Sequence, residues 1–321
     1  MSFYCQETSW NESLGDLEHI KHQQAISWTR LKRNCSLFQE SGPRAPVLPK
    51  STHPGDESID VLREFCHLVG LYTRRRLTFQ SDALNAFTGI MDMLQGPAKP
   101  VAVYNIAGLP FIPSTADYQS QQAYMFVALS WFNISLPAKR REGFPSWTWA
   151  GWQGDIFWPF TLRLYSSRDV TSYMQNVMFC SERETFTPPY GNIGQEQLDS
   201  VSAIKFEAPV VPRNVFPIAR RDSHAPEKPY TEVELWGTTT VMTSHLGTAD
   251  HFYQQVDKGL WTCILLGESR DPANQFSPHQ LILVIEWQDE ETAVRKGSLS
   301  FYGVILDQDL EALERRTVRL I

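Results

Sequence analysis

Few side chains in this sequence have the type and spacing that catalysis requires. Cys66 and His67 form a cysteine–histidine pair, and a cysteine nucleophile needs a histidine within hydrogen-bond reach of its sulfur. Adjacent residues of a helix point about 100° apart, so these two side chains would not face each other. Cys66 also falls on the apolar face of a predicted helix, which favours a core position over a nucleophile.

The histidines do not form a complete metal site. His19 and His22 are three residues apart, and His245 and His251 flank Asp250. Each pair supplies two ligands, whereas a zinc site takes three or four protein ligands. The sequence therefore predicts solvated polar residues at these positions and no metal site.

Paired carboxylates are the next candidates. Glu232 and Glu234 share one face of a presumed strand, and 289–291 is an acidic run after Trp287. A glycosidase needs two carboxylates about 5–10 Å apart across a cleft. We expect Glu232 and Glu234 to line a solvent face and 289–291 to form a hairpin loop. No catalytic residue and no cofactor site is predicted, although a hydrolase site assembled from distant residues stays an alternative.

The densest aromatic segment is FPSWTWAGW, from Phe144 to Trp152. On a strand, Trp147 and Trp149 would share one face, and two large aromatics on a strand face usually pack a core. Gly151 would permit a bend or a close backbone approach. Core packing is favoured over the alternative, a glycan-binding module that uses these tryptophans together with Trp236.

Composition and charge narrow the function classes. The chain has 321 residues, of which 42% are hydrophobic, 12% aromatic and 20% charged, and its net charge is −7. Nonspecific nucleic-acid binding needs clustered Lys and Arg, so no nucleic-acid partner is predicted. The densest basic runs, 74–76 and 139–141, are predicted to be solvated loop or helix-end charge.

Cysteine usage and hydropathy suggest a compartment. The five cysteines form no C-x-x-C pair, and the count is odd, which favours a reducing intracellular environment. The first residues contain no signal-peptide pattern. No apolar run approaches the length of a membrane span. We therefore expect a cytoplasmic protein without a membrane-spanning helix.

Periodicity predicts an α+β protein in which a helical N-terminal half packs with an antiparallel, β-rich C-terminal half. Helices are predicted near 57–71, from Ser81 or Asp82 to Leu94, over 119–132 and over 307–314. Strands are predicted in SWTWAGW, FTLRLY, SAIKFEAPVV, TEVELWGTTTVM, LWTCILL, LILVIEW, SLSFYGVIL and TVRLI. The expected organisation has three parts. Residues 1–56 are the remnant of a preceding domain and a Pro-rich linker, 57–140 are a helical region and 141–321 are a β-rich region.

Two blocks resemble a known family. RREGFPSWTWAGWQGDI is similar to a segment found downstream of the HET domain in fungal heterokaryon-incompatibility proteins, and only Thr148, in place of Ser, departs from it. The matching residues are Phe144, Pro145, Ser146, Trp147, Trp149, Ala150, Gly151 and Trp152. RRRLTFQSDALNAFTGI resembles a second block of that family. Its matching residues are Arg76, Leu77, Thr78, Asp82, Leu84, Ala86, Gly89 and Ile90.

The resemblance covers most of 60–321 and implies the C-terminal region of such a protein, with most or all of the HET domain missing. It implies a non-enzymatic regulatory or interaction region in fungal non-self recognition and programmed cell death, with a protein partner. Structural roles are expected for the matching residues. Arg76 would pair with an acid, Asp82 would cap the second helix, and Gly89 would allow close packing because glycine costs about 1 kcal/mol within a helix.

Overall fold

The structure, a computed structural model, describes residues 2–4, 9–11, 57–75, 77, 79–94, 101, 103–113, 118–133, 139–158, 169–187, 195–216, 230–235, 238–243, 246–271, 274–302, 305 and 307–321. Backbone contacts divide the chain into two compact units, Met1–Pro49 and Lys50–Ile321. In the first unit, β1 (Ser2–Tyr4) and β2 (Ser9–Asn11) form an antiparallel hairpin. All later elements belong to the second unit.

Helix α1 (Glu57–Thr73) confirms the helix predicted near 57–71. Its three- and four-residue apolar spacing buries one face completely, including Ile59, Leu62 and Phe65. The helix predicted to begin at Ser81 or Asp82 is only partly correct. Two 3₁₀ helices, Gln80–Ala83 and Asn85–Phe87, come first, and α2 (Thr88–Leu94) follows.

Two expectations for this segment are wrong. Asp82 does not cap a helix. The first 3₁₀ helix begins after Phe79 without a side-chain cap, and the Asp82 amide donates to the Phe79 carbonyl at 3.2 Å. Gly89 is exposed, and a Cβ placed on it would meet nothing within 4 Å. Gly89 therefore does not mediate close packing within the described residues.

Short strands surround the next helix. Strands β3 (Tyr104–Ile106) and β4 (Leu109–Phe111) form a hairpin, and α3 (Tyr118–Leu129) corresponds to the helix predicted over 119–132. Strand β5 (Phe132–Asn133) pairs with β8 (Ile156–Phe157). Strand β6 (Lys139–Arg140) pairs with β7 (Trp152–Gln153).

The strand predicted over SWTWAGW is wrong for most of its length. Its centre is a 3₁₀ helix, Trp149–Gly151. The Thr148 hydroxyl caps this turn by accepting from the Ala150 amide at 3.1 Å, and such a local side-chain bond competes with strand pairing. Alternating aromatics here mark a folded turn that leads into β7.

The remaining strands form one large, mostly antiparallel sheet. Its strands are β9 (Val170–Ser172), β10 (Gln175–Cys180), β11 (Thr185–Phe186), β12 (Ala203–Val211), β13 (Tyr230–Leu235), β14 (Thr238–Thr243), β15 (Trp261–Asp271), β16 (Asn274–Trp287), β17 (Thr292–Tyr302) and β18 (Arg315–Leu320). Helices α4 (Gln195–Asp199), α5 (Ala249–Asp257) and α6 (Asp307–Glu311) lie between them along the chain. The α+β class is thus confirmed.

Five strands pair in a closed circuit. Strand β12 pairs with β15, β15 with β16, β16 with β17, β17 with β18, and β18 with β12. Only the β17–β18 pair is parallel. Closure gives each of these strands partners on both sides, so they have no unpaired edge along those registers.

Both faces of the central strands are buried. One face holds Cys263, Leu265, Ile282, Val284, Leu299 and Phe301, which pack with Phe252 and Tyr253 of α5. The opposite residues of β15 and β16, such as Ile264 and Leu283, are also fully buried. Burial on both faces explains why LILVI is a continuous apolar run instead of an alternating one.

The predicted strands in SAIKFEAPVV, LWTCILL, LILVIEW, SLSFYGVIL and TVRLI fall in β12, β15, β16, β17 and β18, and TEVELWGTTTVM divides into β13 and β14. FTLRLY lies outside the described residues. Strands β9 and β10 and helix α5 were not predicted. The Thr248 side chain caps α5 by accepting from the His251 amide at 3.2 Å.

Candidate functional site

The three tryptophans of FPSWTWAGW lie in the core. Trp147 and Trp149 are completely buried, and Trp152 is 6% exposed. The Trp149 ring makes edge-on contacts with Tyr72 and Phe87, with centroid separations of 5.9 and 5.4 Å. Their predicted burial is confirmed. As buried rings, they present no open face to a sugar.

Indole N–H groups fix this turn to neighbouring backbone. The Trp152 indole donates to the Ser146 carbonyl at 2.9 Å, and the Trp149 indole donates to the Gly108 carbonyl of the β3–β4 turn. The Trp131 indole donates to the Trp147 carbonyl at 3.1 Å. Buried indoles usually have such acceptors, and here three of them hold the turn against the β3–β4 hairpin and the end of α3. The buried Trp147 indole N–H has no acceptor among the described residues.

Two arginines before the motif bind its carbonyl groups. The Arg140 guanidinium donates to the carbonyls of Phe144 and Gly151 at 2.8 and 2.6 Å, and it lies 5.1 Å from the centroid of the Trp152 ring. Arg141 donates to the carbonyls of Ala150, at 3.1 Å, and Trp152.

The predicted solvated role for this basic run is wrong for Arg141, which is 7% exposed. Burial lowers the pKa of both Arg140 and Arg141. Both guanidinium groups donate to main-chain carbonyls of the turn, and the Gly151 carbonyl also accepts from the Arg141 amide at 2.8 Å.

Gly151 is required by this arrangement. A Cβ at position 151 would overlap the Arg140 guanidinium and the Pro145 carbonyl oxygen. The predicted close backbone approach at Gly151 is thus observed, although within a 3₁₀ turn rather than a strand bend.

Ser146 connects the motif to the sheet. Its amide donates to the Ile321 main-chain oxygen at 2.9 Å, and its hydroxyl donates to the same oxygen. The hydroxyl also accepts from the Arg295 amide of β17 at 3.0 Å. One small side chain therefore contacts β17 and the residue that follows β18.

Arg295 completes the assembly. It is 1% exposed, and its guanidinium lies 3.5 Å from the Trp131 ring centroid. It donates to the Leu129 carbonyl at 3.0 Å, to the Trp131 carbonyl, and to the Ser298 hydroxyl at 2.7 Å. Burial lowers its pKa well below the usual range.

Among the described residues, no carboxylate bonds Arg295. Carbonyl dipoles at the C-terminal end of α3 and the indole face supply the negative potential instead. We call the set Arg140, Arg141, Trp131, Ser146, Trp147, Trp149, Gly151, Trp152 and Arg295 the tryptophan–arginine junction. It binds the helices to the sheet and presents no nucleophile or general base to solvent.

Cys66 is a core residue. It is 3% exposed on the buried face of α1, and burial raises the pKa of its thiol well above the usual value. A raised pKa disfavours the thiolate that a nucleophile requires. The described cysteines Cys66, Cys180 and Cys263 are all buried and carry no disulfide.

The other sequence candidates do not converge. His251 is exposed on α5, whereas His19, His22, His245 and Trp236 lie outside the described residues. Glu232 and Glu234 lie on β13, where only the backbone is described.

The acidic run 289–291 forms the β16–β17 turn, as predicted. Asp289 accepts from the amides of Thr292 and Glu291 at 2.7 and 3.0 Å. These bonds lower the pKa of its carboxyl group. This carboxylate therefore stabilises a turn.

A buried carboxylate that the sequence did not reveal is Glu268, which is 4% exposed. It accepts from Gln280 at 2.7 Å and from Arg270 at 2.9 Å, and the Tyr173 hydroxyl also bonds it. Burial, followed by the Glu268 charge, raises the pKa of Tyr173. We call these four residues the Glu268 cluster.

The second family block, 74–90, follows α1, includes both 3₁₀ helices and reaches the first turn of α2. Leu77, Asp82, Leu84 and Ala86 are half-buried and Ile90 is 7% exposed. Arg76 and Thr78 lie outside the described residues, so the predicted ion pair of Arg76 stays a prediction.

Comparisons with known proteins identify no relative, because no family model, no curated protein and no solved structure matches the chain. In the part of the chain that the structure describes, no three His, Cys, Asp or Glu side chains come together as metal ligands could. Within the same residues, no helix has both the length and the apolar character of a membrane span.

Proposed function

We propose that this chain is a non-enzymatic regulatory or interaction region of a heterokaryon-incompatibility-type protein, which acts through a protein partner in fungal non-self recognition and cell death. One observation carries the proposal. Most of the residues that resemble the family in Phe144–Trp152 bind main-chain groups, and those from Ser146 to Trp152 are buried. A signature of this kind preserves a scaffold, and function then depends on surfaces that the scaffold presents.

The enzyme and glycan-binding alternatives receive less support. A hydrolase that uses Cys66 would need an accessible thiolate, and that thiol is buried with a raised pKa. A glycan module would need open indole faces, and Trp147 and Trp149 are completely buried. Cytoplasmic localisation belongs to the same proposal and is supported by three buried cysteines without disulfides.

The test is expression in a fungal host, with the chain alone and with the chain joined behind a HET-type domain. We expect growth arrest that depends on the chain in at least one format. Arg295→Met, which removes the charge inside the junction, should abolish the effect. Lys296→Met removes the same charge one residue away at the surface and should preserve it. Unchanged growth in both formats, with the protein present and folded, would overturn the proposal.

A further inference from the structure

The fold brings the two basic runs of this acidic chain to one surface. Arg74 and Arg75 are exposed just after α1, and Lys139 is exposed on β6. The first 3₁₀ helix, Gln80–Ala83, links them. Arg141, next to β6, donates to the Gln80 side chain at 2.8 Å.

Contacts of Tyr72 give independent evidence that the end of α1 lies close to the first 3₁₀ helix and to Arg141. Its hydroxyl donates to the Ala83 carbonyl at 2.9 Å, so the end of α1 lies against the 3₁₀ helix. Burial raises its pKa to about 12, while the charges of Arg141 and Arg75 both lower it. The nearby acid Asp82 raises it, and Glu142 is exposed beside Arg141. Among the described residues, the five cations of these two runs, Arg74, Arg75, Lys139, Arg140 and Arg141, outnumber the three nearby acids, Asp82, Glu142 and Asp155.

Phe79 lies at the start of this 3₁₀ helix and is 66% exposed. Among the large apolar side chains that the structure describes as exposed, the others range from 36% to 49%. The half-buried Leu77 lies two residues before it. An exposed aromatic ring beside arginines has the chemistry of the boundary between lipid headgroups and acyl chains.

We propose that Arg74, Arg75, Phe79 and Lys139 form a surface that docks on an anionic lipid membrane. The cations would contact headgroup phosphates or carboxylates, and the Phe79 ring would enter the acyl boundary. Electrostatic attraction would draw the surface to the membrane despite the net charge of −7, because screening confines each charge's influence to about one Debye length. An acidic peptide would satisfy the arginines and would leave the Phe79 ring without a role.

The experiment is co-sedimentation of the full chain with phosphatidylcholine vesicles, with and without phosphatidylserine. We expect binding only when phosphatidylserine is present, and weaker binding as salt rises. Arg74→Ala combined with Arg75→Ala should lower the partition coefficient about 30-fold, or about fivefold for each arginine. Phe79→Ser should lower it roughly tenfold.

Matched controls lie elsewhere on the same molecule. Lys205→Ala combined with Lys296→Ala removes two partly exposed cations from the sheet, and Leu260→Ser removes a side chain that is 49% exposed. Both should bind as the original chain does. Thermal unfolding of each variant verifies folding, and Arg74→Ala alone replaces the double variant if that one unfolds.

The results of this experiment distinguish a lipid membrane from an acidic protein segment as the partner of this surface. Absence of vesicle binding, or equal losses in variants and controls, would overturn the proposal. Binding to polyglutamate that needs the arginines but not Phe79, without vesicle binding, would assign the surface to an acidic protein segment. The surface does not depend on the cell-death proposal, since vesicle binding is measured on the purified chain.

Discussion

The tryptophan–arginine junction and the Glu268 cluster each bury one charged side chain of β15–β17, but they neutralise it differently. Arg295 is bonded by main-chain carbonyls and lies against the Trp131 ring. Glu268 is bonded by the side chains of Tyr173, Gln280 and Arg270. The junction thus depends on backbone positions, whereas the cluster depends on side chains that can rearrange.

Solvent access also makes the two regions differ in how strongly a substitution should destabilise them. The Arg270 side chain is 73% exposed, so water can solvate its charge if Glu268 is lost. The buried carbonyls of Leu129 and Trp131 would lose their guanidinium donor if Arg295 were lost. Unsatisfied buried groups cost more than a lost surface pair, so the junction should be the more sensitive region.

Arg295→Met gives the largest expected effect. Arg295→Met removes the donor to the Leu129 and Trp131 carbonyls, and a buried polar group left unsatisfied costs about 1–3 kcal/mol. We therefore expect a loss of about 3 kcal/mol in the free energy of unfolding measured with urea. Lys296→Met, whose ammonium bonds Glu286 at 3.1 Å with partial exposure, should cost less than about 1 kcal/mol. Equal losses in the two variants would mean that Arg295 contributes no more than a surface cation.

Gly151→Ala tests the geometry of the junction without a change of charge. The added methyl group would overlap the Arg140 guanidinium and the Pro145 carbonyl, and overpacking of this kind costs about 1–3 kcal/mol. Gly89→Ala is the matched control. Its Cβ meets nothing, and alanine favours a helix by about 1 kcal/mol over glycine. The two substitutions should therefore change the urea midpoint in opposite directions.

Glu268→Gln should have a smaller effect than Arg295→Met. The glutamine amide can still accept a hydrogen bond in the Glu268 cluster, and Arg270 can be solvated, so we expect a loss of about 1–2 kcal/mol. Glu286→Gln on the surface should lose less than about 1 kcal/mol. A loss for Glu268→Gln as large as that for Arg295→Met would remove the distinction between the two regions.

Sequence patterns predicted helix α1 and the long strands because their packing is repetitive. Helix α1 buries residues at three- and four-residue spacing, and strand β16 is a continuous apolar run buried on both faces. Both patterns can be recognised along the chain. The turn at Trp149–Gly151 is not regular. Thr148 caps it and Arg140 and Arg141 bond its carbonyls, so its conformation depends on hydrogen bonds that alternation cannot encode.

The buried charges were missed for a related reason. Arg295 lies just before a bulge in the β16–β17 register, and Glu268 follows a bulge in the β15–β16 register. A bulge breaks the alternation of faces between its two sides, so alternation carried across the bulge gives the wrong face for both residues. Burial of Trp147 and Trp149 was predictable because ring size alone favours the core.

The smallest expected effect concerns two tyrosines, the buried Tyr72 beside the junction and the half-buried Tyr173 of the Glu268 cluster. Tyr72 donates to the neutral Ala83 carbonyl near the cations Arg75 and Arg141, whereas Tyr173 donates to the carboxylate of Glu268. Burial raises the pKa of both, and that of Tyr72 reaches about 12. Because the unfolded chain loses the phenol proton near pH 10, the stability from Tyr72 is complete below about pH 10. It falls as pH rises to about 12.

Tyr72→Phe should cost about 1 kcal/mol near neutral pH, through the lost hydrogen bond, and should then show a shallower alkaline decline than the original chain. Tyr173→Phe should remove a larger share of the decline, because Glu268 adds to the pKa shift of Tyr173 while the arginines oppose that of Tyr72. Urea denaturation from neutral to alkaline pH measures both slopes. If both variants kept the original slope, neither hydroxyl would stay protonated in the folded protein at alkaline pH, and the contrast between the two regions would not extend to their tyrosines.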